Sequence, residues 1–190
     1  MKKIAVVEKF FEPHHQRQIE AVAAKYGYTA DYYMDGVLPE ERAGEYEIVY
    51  GMPDRKDLKS MTQLKWFCAS FAGVDRYVDE ALYPHEGVLL SNSAGAYGVT
   101  ISEHIVMVTL MLLRQMLPIH QYVSRRDWAP IMPMRSIFGS RITVLGTGDI
   151  GTSFARRAKA LGAKSVCGVR RTLKPADPAF DRIVTLSDLN

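Results

Sequence analysis

An α/β protein built on parallel sheets is the fold class this sequence predicts, and three observations predict it. Residues 1–100 alternate short β-branched or aromatic runs with helical patterns, as strands joined by helical crossovers do. A further run, Arg141-Ile142-Thr143-Val144-Leu145, leads directly into Gly146-Thr147-Gly148-Asp149-Ile150-Gly151. Residues 152–163 then read as an amphipathic helix, with Phe154, Ala155, Ala158 and Leu161 forming an apolar stripe between Arg156, Arg157 and Lys159.

Taken in order, Ile4-Ala5-Val6-Val7 is a buried strand. Residues 13–26 are a helix with Ile19, Val22 and Ala23 inward, ended by Gly27 at the usual C-terminal glycine position. Residues 29–34, 46–50, 65–70 and 88–91 read as further strands, residues 57–61 as a short helix and Asp35-Gly36 as a turn. The pattern changes at Thr100. Thr100-Ile101-Ser102-Glu103 spells a capping box, and the helix it opens is expected to run to about residue 117, before Pro118. That helix is apolar nearly all round, which predicts burial on most sides, between domains or subunits. A second helical stretch covers residues 119–128, ahead of Pro130 and Pro133. Strands over 141–145, 165–169 and 181–186 follow, the first expected to be buried and parallel. A dinucleotide fold needs two βαβαβ halves, so the sequence reads as cut short at Asn190.

Composition excludes several classes. With 47% apolar and 24% charged residues, the 190-residue chain matches ordinary globular proteins. The net charge of +3 is mild; Arg156, Arg157, Lys159, Lys164, Arg170, Arg171 and Lys174 cluster late, but without the aromatic or zinc-binding motifs of nucleic-acid readers. Neither a nucleic-acid partner nor a metal site is expected. Cys68 and Cys167 form no C-x-x-C and read as buried, reduced thiols. No run is long enough for a membrane span or a signal peptide, so a cytoplasmic location is expected.

Strand, G-x-G-x-x-G and helix in that order form a nucleotide-binding signature. Gly146 makes the tight turn, Gly148 lets the backbone approach a pyrophosphate, and Gly151 permits close helix–strand packing. The opening of the helix, at Asp149 and Ile150, offers unpaired N–H groups and a positive dipole end to phosphate. At the end of the next strand, Val169-Arg170-Arg171 stands where NAD-binding units place a carboxylate for the ribose 2′-hydroxyl. Arginine there suits the 2′-phosphate, so NADP is expected over NAD.

Ala72-Gly73-Val74-Asp75, Asn92-Ser93-Ala94-Gly95-Ala96-Tyr97, Ile101-Ser102-Glu103-His104, Arg114, Trp128 and Phe138-Gly139-Ser140, in this order ahead of the glycine loop, resemble the D-isomer-specific 2-hydroxyacid dehydrogenases. The resemblance implies a flavodoxin-like substrate domain over residues 1–100 and a Rossmann nucleotide domain, here incomplete, over 101–190. Residues 101–117 would be the helix between domains and against a second subunit, which implies a homodimer. It implies hydride transfer between a nicotinamide and C2 of a 2-oxo or 2-hydroxy acid. The N–H groups near Ala72 and Gly73 would hold the acid's carboxylate, Ala72 would also border the cofactor, and Tyr97 would touch substrate. The same turn also reads as a strand-to-helix connection with Asp75 as N-cap. Asp149 stands where the family usually carries arginine and would oppose pyrophosphate. The family's catalytic arginine, glutamate and histidine have no counterpart here and are expected beyond residue 190, leaving this chain inactive. Glu103 and His104 do not replace them, since adjacent helix residues point about 100° apart. A non-catalytic nucleotide-binding or interaction module is the competing reading.

Overall fold

In the computed structural model, which describes residues 2–173, 175 and 177–188, the chain divides into two units, Met1–Ala94 and Gly95–Asn190. The first holds β1 (Lys2–Val7), α1 (Pro13–Lys25), β2 (Tyr28–Tyr33), β3 (Ile48–Gly51), α2 (Arg55–Ser60), β4 (Trp66–Ala69) and β5 (Leu89–Ser91). All pairings are parallel, in the order β2-β1-β3-β4-β5. This is the flavodoxin-like order, with its reversal between β1 and β3. Strand alternation sends Ala5, Val7, Val49 and Phe67 to one face, where they are buried with Leu58, Met61 and Leu64. Ile4, Ile48, Tyr50 and Trp66 face the other way and, with Ile19 and Ala23 of α1, line an apolar groove of about 590 Å³.

Several expectations need correction in this unit. Val22 is 60% exposed, so the inward stripe of α1 is narrower than its sequence suggests. The third strand starts at Ile48 rather than Tyr46. Tyr46 is fully buried, and its hydroxyl donates to Asp31 at 2.9 Å while sharing a 2.5 Å bond with Tyr33; a side chain so committed to the core sits ahead of the strand. Asp75 does not cap a helix: it is the first residue of a 3-10 turn, Asp75–Tyr77, whose cap position is Val74.

The second unit holds α3 (Gly98–Leu113), α4 (Met116–Ser124), β6 (Arg141–Leu145), α5 (Asp149–Ala160), β7 (Ser165–Val169) and β8 (Arg182–Val184). Its three-stranded parallel sheet is Rossmann-like, ordered β6-β7-β8. Phe154, Ala155 and Ala158 of α5 pack with Val166 and Phe180, with Ile105, Val106 and Leu113 of α3 against them. Three of the late basic residues are paired: Arg156 with Asp177, Lys159 with Asp181 and Arg157 with Glu103. Lys174 lies outside the described residues.

The expected capping box does not form. α3 starts at Gly98, so Thr100 lies inside its first turn and donates back to Tyr97 O at 3.4 Å, while Glu103 pairs with Arg157. The helix stops at Leu113, because Gln115 adopts a left-handed φ of 56°. Pro118 falls in the first turn of α4, where its missing N–H has no intrahelical partner to lose. α3 is not covered on most sides in this chain: Met107 is 48% and Leu112 62% exposed. β6 is parallel but not buried, with Leu145 72% exposed, and Leu161 caps α5 rather than extending its stripe. Cys68 and Cys167 are free and half-buried rather than buried. Among the described residues no single helix is long and apolar enough to cross a membrane; α3 and α4 together reach the length but bend by 69°.

Candidate functional site

The chain offers two loops at the C-terminal ends of its parallel strands, where open α/β sheets bind ligands. In the second unit β6 runs into Gly146, whose φ of 101° reverses the chain. Gly151 is needed for packing, since a Cβ there would lie 1.9 Å from Gly146 O. Gly148, the N-cap of α5, is different: its φ of −79° suits any residue, and a Cβ would meet nothing within 4 Å. No protein contact explains that glycine, whereas a close-lying ligand would. The first-turn N–H groups of Asp149, Ile150 and Gly151 have no acceptor among the described residues, and the α5 dipole adds its positive end. These features fit a pyrophosphate.

Leu145, Gly146, Thr147 and Gly148 line a cavity of about 520 Å³ together with Val169, Arg170, Arg171, Thr172 and Leu186. Arg170 is held by its N–H to Val184 O at 3.0 Å, which leaves its side chain free to face the space. Neither guanidinium makes an ion pair among the described residues. Asp149 is turned elsewhere. Its carboxylate lies against Gly98, where a Cβ would sit 2.2 Å from Oδ1. A negative charge there answers the N-terminal dipole of α3, which supplies the reason for an aspartate that the sequence made look unfavourable.

In the first unit the loop after β4, Ser70-Phe71-Ala72-Gly73, is tied down through its carbonyls. Ser93 N–H donates to Phe71 O at 3.1 Å and Asn92 Nδ2 to Ala72 O at 2.6 Å. A trans peptide points its N–H opposite its C=O, so the Ala72 and Gly73 N–H groups face away from these partners. Both are without acceptors among the described residues. Ala72 and Gly73 therefore stand together, and Gly146 to Gly151 stand with Arg170 and Arg171. Tyr97 belongs to the second unit, as the residue before α3. The residues that fix the first of these loops, Ser70, Asn92 and Ser93, were not singled out as site residues from sequence. Their signal was position: Asn92 and Ser93 directly follow a strand, at the ligand-binding edge.

A model of the D-isomer specific 2-hydroxyacid dehydrogenase NAD binding domain matches residues 106–190. The chain is similar to the D-isomer specific 2-hydroxyacid dehydrogenases. Glycerate dehydrogenase of Methylorubrum extorquens is 28% identical over 168 residues, which are 84% of this chain and 50% of that protein. D-lactate dehydrogenase of Treponema pallidum is 32% identical over 112 residues, 58% of this chain and 34% of that protein. Among solved structures, a D-isomer specific 2-hydroxyacid dehydrogenase family protein from Aeromonas salmonicida matches with a TM-score of 0.79 at 25% identity, covering 100% of this chain and 59% of that one. The chain thus spans half or less of the length of these curated relatives. The glycine loop and the cavity beside it lie within the matched NAD binding domain.

Proposed function

We propose that this chain forms the acid- and nucleotide-holding part of an NADP-preferring 2-hydroxyacid dehydrogenase. Such an oxidoreductase moves a hydride between nicotinamide and C2 of a small 2-oxo or 2-hydroxy acid. One observation carries the reading: the glycine loop and two guanidinium groups, unpaired among the described residues, line a single cavity. The loop's N–H groups suit the pyrophosphate, and Arg170 and Arg171 suit a 2′-phosphate. When bound, the nicotinamide supplies the hydride chemistry; the chain's residues bind and orient. The Ala72 and Gly73 N–H groups receive the acid's carboxylate, neutral donors that add no titrating group of their own.

The 190 residues hold both ligands without turning them over. Reduction needs a general acid held near the forming alkoxide. Glu103 is engaged with Arg157, and among the described residues the histidine–carboxylate contact is His14 with Glu12, exposed at the start of α1. We infer a cytoplasmic homodimer, supported by two free thiols and by the exposed Met107, Leu112, Met116 and Leu117 of α3 and α4.

Calorimetric titration of NADPH and NADH tests the cofactor assignment. A charge-assisted hydrogen bond contributes roughly 1.5–3 kcal/mol, so NADPH should bind about tenfold tighter or better. Arg170→Asp should narrow or reverse that ratio. Equal affinities in the unmutated chain would overturn the assignment.

A further inference from the structure

The edge of the first sheet carries a carboxylate to which the functional reading assigns no role. Glu8 follows β1 directly and is half-buried. Its Oε2 accepts from Ser70 Oγ at 2.5 Å, and its Oε1 accepts from Lys9 N–H at 2.9 Å and from Phe10 N–H at 3.5 Å. The strand order puts β3 between β1 and β4, so this side chain crosses the end of a whole strand to reach Ser70. The crossing is open because β3 ends on Gly51. There φ is 113°, and a Cβ would lie 2.1 Å from Val7 O and 3.4 Å from Glu8 Cβ. A side chain at that position would stand in the carboxylate's path.

Ser70 is the first residue of the loop whose N–H groups are unpaired. The loop's later peptides are fixed at their carbonyls by Ser93 and Asn92. Its start is fixed by Ser70 N–H to Gly51 O at 3.2 Å and by the Glu8 contact to the Ser70 side chain. Rotation at Ser70 would swing the planar peptides that follow and redirect the Ala72 N–H.

We propose that Glu8 is a positioning residue for carboxylate recognition: by gripping Ser70 across the glycine-ended β3, it aims the Ala72 and Gly73 N–H groups at a small 2-oxo acid. Its oxygens are spent on internal donors, so it acts through the loop and not on the ligand. The inference rests on the assignment of those two N–H groups to the acid's carboxylate.

The test uses the full 190-residue chain labelled with ¹⁵N and oxamate as the probe. In the ligand-free chain, Glu8→Ala should lower the amide order parameters of Phe71, Ala72 and Gly73 while β1 and β3 amides keep their shifts. Oxamate should give saturable shifts at Ala72 and Gly73, weakened about tenfold by Glu8→Ala, the scale of losing a charge-assisted hydrogen bond. Ser70→Ala should match that loss, and the double variant should add little to it. Glu8→Gln keeps an acceptor for Ser70 and should recover affinity to within about threefold. Unchanged loop order and unchanged oxamate affinity in Glu8→Ala would overturn the role of Glu8 and leave the carboxylate assignment standing. Absence of saturable shifts at Ala72 and Gly73 in the unmutated chain would overturn that assignment, and with it the inference.

Discussion

The loop after β4 and the loop after β6 are both turns at the end of a parallel strand with N–H groups that find no acceptor among the described residues, yet they are made differently. The first is shaped by side chains brought from other strands: Glu8 on Ser70, Asn92 on Ala72 O. The second is shaped by what glycines leave out, through the positive φ of Gly146 and the missing side chain of Gly151. A loop made by omission is rigid in its sterics and announces itself in sequence. One made by tertiary side-chain contacts can be tuned residue by residue, and it leaves almost no local signature.

The contrast breaks first at Gly151. A methyl group there would lie 1.9 Å from Gly146 O, a backbone atom that cannot step aside. Gly151→Ala should cost about 3 kcal/mol or more of stability in the second unit and abolish measurable NADPH binding. Thermal unfolding within about 1 °C of the unmutated chain would remove the steric argument, since even 1 kcal/mol moves a domain of this size by several degrees.

Gly148→Ala sharpens the same comparison with a smaller effect. A Cβ there meets nothing within 4 Å, so folding should lose only about 1 kcal/mol, the cost of alanine at an N-cap. NADPH affinity should nevertheless fall tenfold or more, because the methyl group enters the space reserved for phosphate. Unaltered affinity would mean that the pyrophosphate does not lie against Gly148.

The unequal legibility of the two loops extends to the whole fold. Strand and helix alternation was readable throughout, because buried β-branched runs and helical stripes are local patterns. The start of α3 was not. Thr100 and Glu103 have the letters of a capping box, but Gly98 packs against Asp149 fifty-one positions away and draws the helix start forward. The break at Gln115 was masked by Pro118, which looked like the terminator and instead sits in the next helix's first turn. Arg170 and Arg171 could be placed because they follow a strand at a fixed remove from the glycines. Glu8 could not, since its meaning depends on the strand order and on the missing side chain of Gly51.

The smallest effect expected is one of pH. The hydrogen bond from Arg156, and then that from Ala179 N–H, hold Asp177 below its ordinary carboxylate value. Lys159 and then Val166 N–H do the same for Asp181. A depressed folded value contributes stability above the ordinary value and loses it as pH falls through the folded one. Residues 177–184 should therefore loosen below about pH 4, before the core of the first unit. Amide protection factors at Val166 and Ala179, corrected for the intrinsic pH dependence of exchange, that stay constant from pH 7 to pH 3 would show that these pairs contribute nothing.

The central claim is that the glycine loop and the arginine pair hold one phosphate-bearing dinucleotide. Titration of NADP⁺ into the ¹⁵N-labelled chain addresses it most directly. Saturable amide shifts should concentrate at Thr147, Gly148, Asp149, Ile150, Gly151, Arg170, Arg171 and Thr172. Saturation with shifts confined to the apolar groove of the first unit, or no saturation at millimolar nucleotide, would contradict it.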